Sequence, residues 1–173
     1  MNLLDDYIST TVPRLCKVDK DFMDFLRKHD YRVSVIDNRV FVGLAVYINS
    51  NLYLIPLTST TNAKRIANNK KPRPKSVITK IIVGDEEIAD LLYNNMIPVL
   101  DEYVTDIIIN SRTDTYLRNE ERFIRKNWVK INKKAMTIYL NRYNESHRDY
   151  EFLKKICCDF KSLEEIIKTY RVN

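Results

Sequence analysis

The sequence predicts an α+β fold in which helices pack on an antiparallel sheet. Three observations predict it. Apolar runs of strand length are gathered between residues 39 and 99. Apolar spacings of three and four dominate both ends of the chain, and the two patterns do not alternate as they would around a parallel sheet.

The first element is a short helix. In "VDKDFMDFLRKHD" Val18, Phe22, Phe25 and Leu26 recur at helical spacing, and Asp19 is placed to cap the first turn. "RVFVGLAVYI" and "LYLIPL" are near-continuous apolar runs separated by "NSN", which predicts a buried β-hairpin. Residues 58–76 are polar, basic and broken by Pro72 and Pro74, so they read as a long loop. Loops of that length are uncommon unless they are functional or disordered.

"SVITKIIVGDEE" predicts a strand and then a turn at Gly84 and Asp85. "IADLLYNNMIPVL" fits helix or strand in its first half, with strand preferred; "MIPV" suits an edge strand, because Pro98 has no N–H to donate to a ladder. From Thr113 the period becomes helical through Tyr116, Phe123, Ile124, Trp128, Ile131, Met136 and Leu140, giving one long helix or two joined near Asn132. "SLEE" has the form of a capping box, Ser162 with Glu165, opening a last helix that runs through Tyr170.

A length of 173 residues, 45 % of them hydrophobic and 30 % charged, suits a single domain that folds without disulfides or metal. No apolar run approaches the roughly 18 residues of a membrane span, and "MNLLDDYISTT" has aspartates where a secretion signal would be basic, so a cytoplasmic protein without membrane contact is expected. Cys16 and the adjacent Cys157 and Cys158 suit a reducing compartment. His29 and His147 lie far apart and form no metal pattern with the cysteines, so no metal and no cofactor is expected. With only two glycines, Gly43 and Gly84, and no GxGxxG, P-loop, GxSxG or HExxH pattern, nucleotide-driven chemistry is not expected.

Charge distribution says more than net charge. The 47 residues from 38 to 84 contain no Asp or Glu, yet they hold Arg39, Lys64, Arg65, Lys70, Lys71, Arg73, Lys75 and Lys80. Such a stretch suits a phosphate-binding surface and also suits a solvated basic loop. At its centre stand four hydroxyl residues, Thr58, Ser59, Thr60 and Thr61. One reading is that they satisfy backbone groups of a turn. The other is that a Thr-Ser pair grips a scissile phosphate beside cations such as Lys64 or Arg65. RNA can be cleaved by its own 2′-hydroxyl if something takes that proton, cations stabilise the phosphorane and an acid protonates the leaving oxygen.

The sequence resembles the endoribonuclease toxins of type III toxin-antitoxin systems, the ToxN, AbiQ, CptN and TenpN group. "FMDFLRKHDYRV" resembles the group's first helix and the D-x-K/R-V after it, here Asp30, Arg32 and Val33. "FVGLAVYINSNLYLIPLTS" resembles its hairpin, with Phe41, Gly43, Tyr53, Pro56, Leu57, Thr58 and Ser59 in register. "NMIPV" and "FIRKNWVKINKK" resemble its Met-Ile-Pro strand and basic helix pair. The likeness covers about residues 14 to 144, leaving residues 1–13 as an N-terminal extension, and CptN is the branch expected to be nearest.

The resemblance implies a strongly twisted antiparallel sheet flanked by helices, related in shape to the MazF and Kid toxins. It further implies metal-independent cleavage of single-stranded, adenine-rich RNA, leaving 2′,3′-cyclic phosphate and 5′-OH ends. A repeated pseudoknot RNA antitoxin is implied as inhibitor, precursor and partner in a closed protein-RNA assembly, with cellular or phage RNA as substrate and abortive infection of phage as the context. By position it makes Thr58 and Ser59 the catalytic pair. Phe22 falls at an aromatic that contacts the site. Where the group continues Pro-Lys this chain has Thr60 and Thr61, so Lys64, with Arg65 second, is the expected catalytic lysine.

The expected RNA-binding residues are Phe22, Arg32, Arg39, Arg65, Lys70, Lys71, Lys75 and Lys80, joined by Arg122, Arg125, Lys126 and Lys133 of the basic helix, with Lys130 and Lys134 on the same face. Tyr47, Tyr53 and Trp128 are expected in the core, and His29 and His147 in structural or surface roles. A non-catalytic basic RNA-binding module is the second reading of these residues; DNA binding is disfavoured, since nothing resembles a recognition helix at helix-turn-helix spacing.

Overall fold

Of the described strands, all but the first and the last lie between residues 39 and 99, where the apolar runs are. In a computed structural model that describes residues 3–110 and 112–170, the strands are β1 (Arg14–Val18), β2 (Phe41–Gly43), β3 (Leu52–Thr58), β4 (Ile78–Val83), β5 (Glu86–Leu92), β6 (Ile97–Val99) and β7 (Val104–Asp106). The helices are α1 (Leu3–Thr10), α2 (Lys20–His29), α3 (Asn62–Ala67), α4 (Thr115–Lys126), α5 (Trp128–Asn141), α6 (Tyr150–Ile156) and α7 (Phe160–Ile167). The sheet runs β4-β5-β3-β2-β1-β7 with every pairing antiparallel, and β6 also pairs with β3. The expected α+β architecture is therefore the one observed.

β3 is the organising strand and all seven of its residues are buried. It pairs with β2 along one edge, while its other edge is shared: β6 takes residues 52–54 and β5 takes 57 and 58. Pro56 falls in the gap between those two partners, where a residue with no N–H costs the ladder nothing. The hairpin turn carries left-handed Asn49 and Ser50, with φ of 48° and 62°, and β2 is shorter than its apolar run suggests. Beyond it the Ala45 N–H donates to the side chain of Asn132 on α5 at 2.8 Å instead of to a strand.

Asp19 caps α2 as expected, accepting from the Phe22 N–H at 2.9 Å. Three local expectations change. The helical pair breaks at Asn127, the residue between α4 and α5. Asn132 is instead fully buried within α5, where it accepts from Ala45 and donates to the Trp128 carbonyl at 2.9 Å. In the tail the cap of α7 is Asp159, which accepts from the Ser162 N–H, while Glu165 pairs with Lys168. Residues 58–76 are no plain loop, since Thr61 caps the six-residue α3 inside them.

The two ends close the core. Ile8 of α1 is fully buried, Trp128 donates its indole N–H to Thr11 at 2.8 Å, and Lys133 pairs with Asp5. At the other end α7 presents Glu164, 5 % exposed, to two buried tyrosines: Tyr53 and Tyr139 donate to its Oε1 at 2.6 and 2.9 Å. Asn49 at the hairpin turn donates to Tyr139 at 2.6 Å. Removing the carboxylate leaves the Tyr139 hydroxyl without its acceptor and leaves Tyr53 only the Phe160 carbonyl at 3.5 Å, a loss of about 1–3 kcal/mol for each hydroxyl. Glu164→Ala is thus expected to lower the free energy of unfolding by about 2–5 kcal/mol; urea denaturation checks this, and a loss below about 1 kcal/mol contradicts it.

Candidate active site

β3 delivers the hydroxyl cluster at its C-terminal end, with Thr58 directly opposite Asp90 of β5. There Thr58 and Thr61 differ from Ser59 and Thr60, which are exposed. Thr58 Oγ1 accepts from the Thr60 N–H at 3.2 Å, and Thr61 Oγ1 accepts from the Lys64 N–H at 3.3 Å to cap α3. These two serve the turn. Ser59 is exposed and its hydroxyl has no hydrogen-bond partner among the described residues. The turn is held from outside by Asn62, whose amide donates to the Arg73 carbonyl at 2.9 Å and whose Oδ1 accepts the Arg73 N–H at 2.7 Å, while Arg73 Nη1 donates to the Thr60 carbonyl at 2.6 Å.

The cluster opens into a cleft of about 270 Å³ lined by residues 36–40, residues 57–60, and Tyr116, Leu117 and Glu120 of α4. Arg39 is its cation. Its Nη1 donates to the Leu57 carbonyl at 2.7 Å, and its buried Nε has no partner among the described residues. Burial, and then the nearby charge of Arg73, push its pKa down to about 10. A guanidinium with no carboxylate partner among the described residues has charge to offer an incoming anion.

Glu120 lies in the same cleft at only 3 % exposure, and burial raises its carboxyl to about 7. Asp37 is half-exposed and pairs with Arg27 at 3.4 Å. The Tyr116 hydroxyl donates to the Ile88 carbonyl. The cleft thus combines a free hydroxyl, a cation short of counter-charge and an acid that titrates near neutrality.

A family profile described as "Toxin ToxN, type III toxin-antitoxin system" matches residues 14–168, nearly the whole chain. The chain belongs to the ToxN family. Among its relatives the Endoribonuclease ToxN of Bacillus thuringiensis subsp. kurstaki is 30 % identical, over 92 % of this chain and 84 % of that protein. The structure of a type III toxin inhibited selectively by a non-coding RNA pseudoknot is similar at a TM-score of 0.77, with 27 % identity over 94 % of this chain and 100 % of that one. The lactococcal anti-phage endoribonuclease AbiQ shares the fold at a TM-score of 0.77, with 23 % identity over 92 % of this chain and 98 % of its own. As a ToxN-family member the chain is an endoribonuclease toxin of a type III toxin-antitoxin system.

On this ToxN-family frame the sequence-derived residues fall in several places. Thr58, Ser59 and Arg39 line the cleft. Lys64 stands beside it on α3, its ammonium donating to the Ser59 carbonyl at 2.9 Å. Arg65 and Lys71 line a separate groove with Phe152 and Lys155, and Arg65 Nε donates to the Lys71 carbonyl at 2.9 Å. Lys70 and Lys75 are exposed. On α4, Arg122, Arg125 and Lys126 follow Glu120 by two to six residues, roughly 3–9 Å further along the helix axis, and Arg125 pairs with Glu121.

Other residues are already engaged within the fold. Phe22 is fully buried, stacked on Tyr103 at 5.0 Å with Tyr170 edge-on, so no ring face is open to a base. Arg32 forms an ion pair with the buried carboxylate of Asp30. Lys80 pairs with Glu87 across β4 and β5, and Lys133 with Asp5. Lys134 donates to the Ile78 carbonyl and lies over the Tyr93 ring, joining α5 to β4 rather than to the basic surface. Tyr47, expected in the core, is 67 % exposed, while Tyr53 and Trp128 are buried.

The acid-free stretch is not acid-free in space. β5 brings buried Asp90 to within 3.5 Å of Arg73, and Glu87 both to Lys80 and to the Asn62 N–H. α4 adds Glu120, which the sequence reading missed. Its signal was present: Tyr116, Glu120 and Ile124 follow one another at helical i, i+4 spacing, so an acid interrupts an otherwise apolar stripe.

Proposed function

We propose that the cleft cleaves single-stranded, adenine-rich RNA by metal-independent transesterification. The 2′-oxygen attacks the adjacent phosphorus, the bond to the 5′-oxygen breaks, and the products carry a 2′,3′-cyclic phosphate and a 5′-OH. The observation that carries this reading is the meeting, in one cleft, of the free Ser59 hydroxyl with the under-compensated Arg39 guanidinium. Ser59 and Thr58 orient a non-bridging oxygen by hydrogen bonding. Arg39, with Lys64 at the rim, offsets the extra negative charge of the phosphorane. Arg65, Lys70, Lys71, Lys75, Arg122, Arg125 and Lys126 extend the field that draws the strand in.

In this reading the chain is one cytoplasmic toxin domain. A small repeated pseudoknot RNA occupies the same cleft as product and inhibitor and joins copies into a closed assembly, as the inhibition of the 27 % identical toxin by an RNA pseudoknot supports. Cellular or phage RNA is the substrate and abortive infection of phage the outcome. A place nearer the CptN branch than to ToxN or AbiQ is part of the same proposal.

Incubation with adenine-rich RNA in EDTA, followed by mass spectrometry of the fragment 3′ ends, tests it. Cyclic phosphate ends are expected. Intact RNA held in a salt-sensitive complex would instead identify a non-catalytic RNA-binding module.

A further inference from the structure

We infer that Glu120 is the catalytic residue that takes the proton from the attacking 2′-hydroxyl; the inference rests on the ribonuclease reading of the cleft. It starts from position. α4 turns Tyr116, Leu117 and Glu120 into the cleft that β3 lines with Thr58, Ser59 and Thr60. Glu120 occupies a stripe in which its helical neighbour Ile124 is fully buried. An apolar side chain there would pack without the desolvation that a carboxylate suffers, so the acid costs stability where it stands.

The other charged and titratable groups around it do not suit the task. From residues 36–40, Asp37 is paired with Arg27, and Arg39 stays cationic at neutral pH. The end of β3, residues 57–60, carries no ionisable side chain. Tyr116 on α4 itself has its hydroxyl committed to a carbonyl, and burial raises its pKa further. On β4 and β5, against which α4 packs, Lys80 and Glu87 neutralise each other, and Asp90, which burial raises to about 6, is fully buried facing Arg73 and stands outside the cleft lining. Glu120 is left as the cleft group that changes protonation near neutrality, with burial alone raising it to about 7.

The step balances as follows. The ionised carboxylate accepts the 2′-hydroxyl proton as the O2′–P bond forms and the P–O5′ bond breaks. The leaving 5′-alkoxide takes a proton from water at the open mouth of the cleft, and the hydroxide so formed returns Glu120 to its carboxylate. No oxidant, reductant or other co-reactant enters. Because the ionised form is the active one, the rate must rise with pH through about 7 and then level.

Single-turnover cleavage of an adenine-rich RNA by the wild-type chain, Glu120→Gln and Glu120→Asp, measured from pH 5.5 to 9, tests the assignment. Glu120→Gln keeps the side-chain shape and is expected to melt no lower than wild type, to bind RNA equally well and to cleave about 100-fold more slowly, with no rising limb. Glu120→Asp, which keeps a carboxylate, is expected to retain the limb at a reduced rate. An RNA with sulfur in place of the 5′-bridging oxygen needs no proton on its leaving group, so Glu120→Gln should stay slow on it. Recovery of the wild-type rate on that substrate would make Glu120 the acid and overturn the inference, as would equal cleavage of ordinary RNA by Glu120→Gln and wild type. Absence of cleavage by the wild type would overturn the ribonuclease reading along with it.

Discussion

Ser59→Ala is expected to lower the rate of RNA cleavage by about 10²–10³-fold while leaving melting temperature and RNA affinity close to those of the wild type. The separation follows from the local geometry. Ser59 is exposed and its hydroxyl is spent on no contact within the protein, so truncating it leaves nothing unsatisfied. Binding is spread over several cations, each a small part of the whole, whereas orienting the phosphate falls on few donors. Thr58→Ala contrasts with it. Thr58 is buried and accepts from the Thr60 N–H, so its loss should reduce both cleavage and stability. Single-turnover rates beside thermal melts separate the two effects, and full activity in both variants would remove this pair from the site.

Arg39→Gln is expected to reduce cleavage by a comparable factor, about 10²–10³, and to do so without destabilising the protein. Arg39 pays desolvation with its Nε unsatisfied and no carboxylate beside it, so the folded chain alone gains little from the charge. A phosphate in the cleft supplies the missing counter-charge, and the phosphorane supplies more. The comparison to make is with Lys64→Ala. Lys64 is exposed, tethered to the Ser59 carbonyl and outside the cleft lining, so its removal should cost less than that of Arg39. If Lys64→Ala proved the more damaging while Arg39→Gln cleaved within threefold of wild type, the catalytic cation would be the lysine that the sequence favoured.

Much of this was legible in particular residues. The Asp19 cap, the hairpin ending in Thr58 and Ser59, and the short strand around Pro98 were visible because caps, alternation and missing N–H groups act over a few residues. Asn132 misled for the opposite reason. A polar residue in a helix looks like an interruption until Ala45, 87 residues away, supplies the N–H that it accepts. Phe22 misled likewise, because the rings that enclose it belong to residues 103 and 170.

The amino-acid order by itself determined where α2, the β2–β3 hairpin, β4 and the helices α4 and α5 lie and which hydroxyls stand at the end of β3, since these follow from backbone preferences and the burial period of nearby residues. The tertiary structure alone decided which charges remain available. β5 returns Glu87 and Asp90 to a stretch that has no acid of its own, and α4 carries Glu120 into the cleft while Arg39 is left without a carboxylate. Coulomb energy and desolvation depend on distance through space and on exclusion of water. Neither can be read along the chain until strands and helices far apart in sequence are packed together.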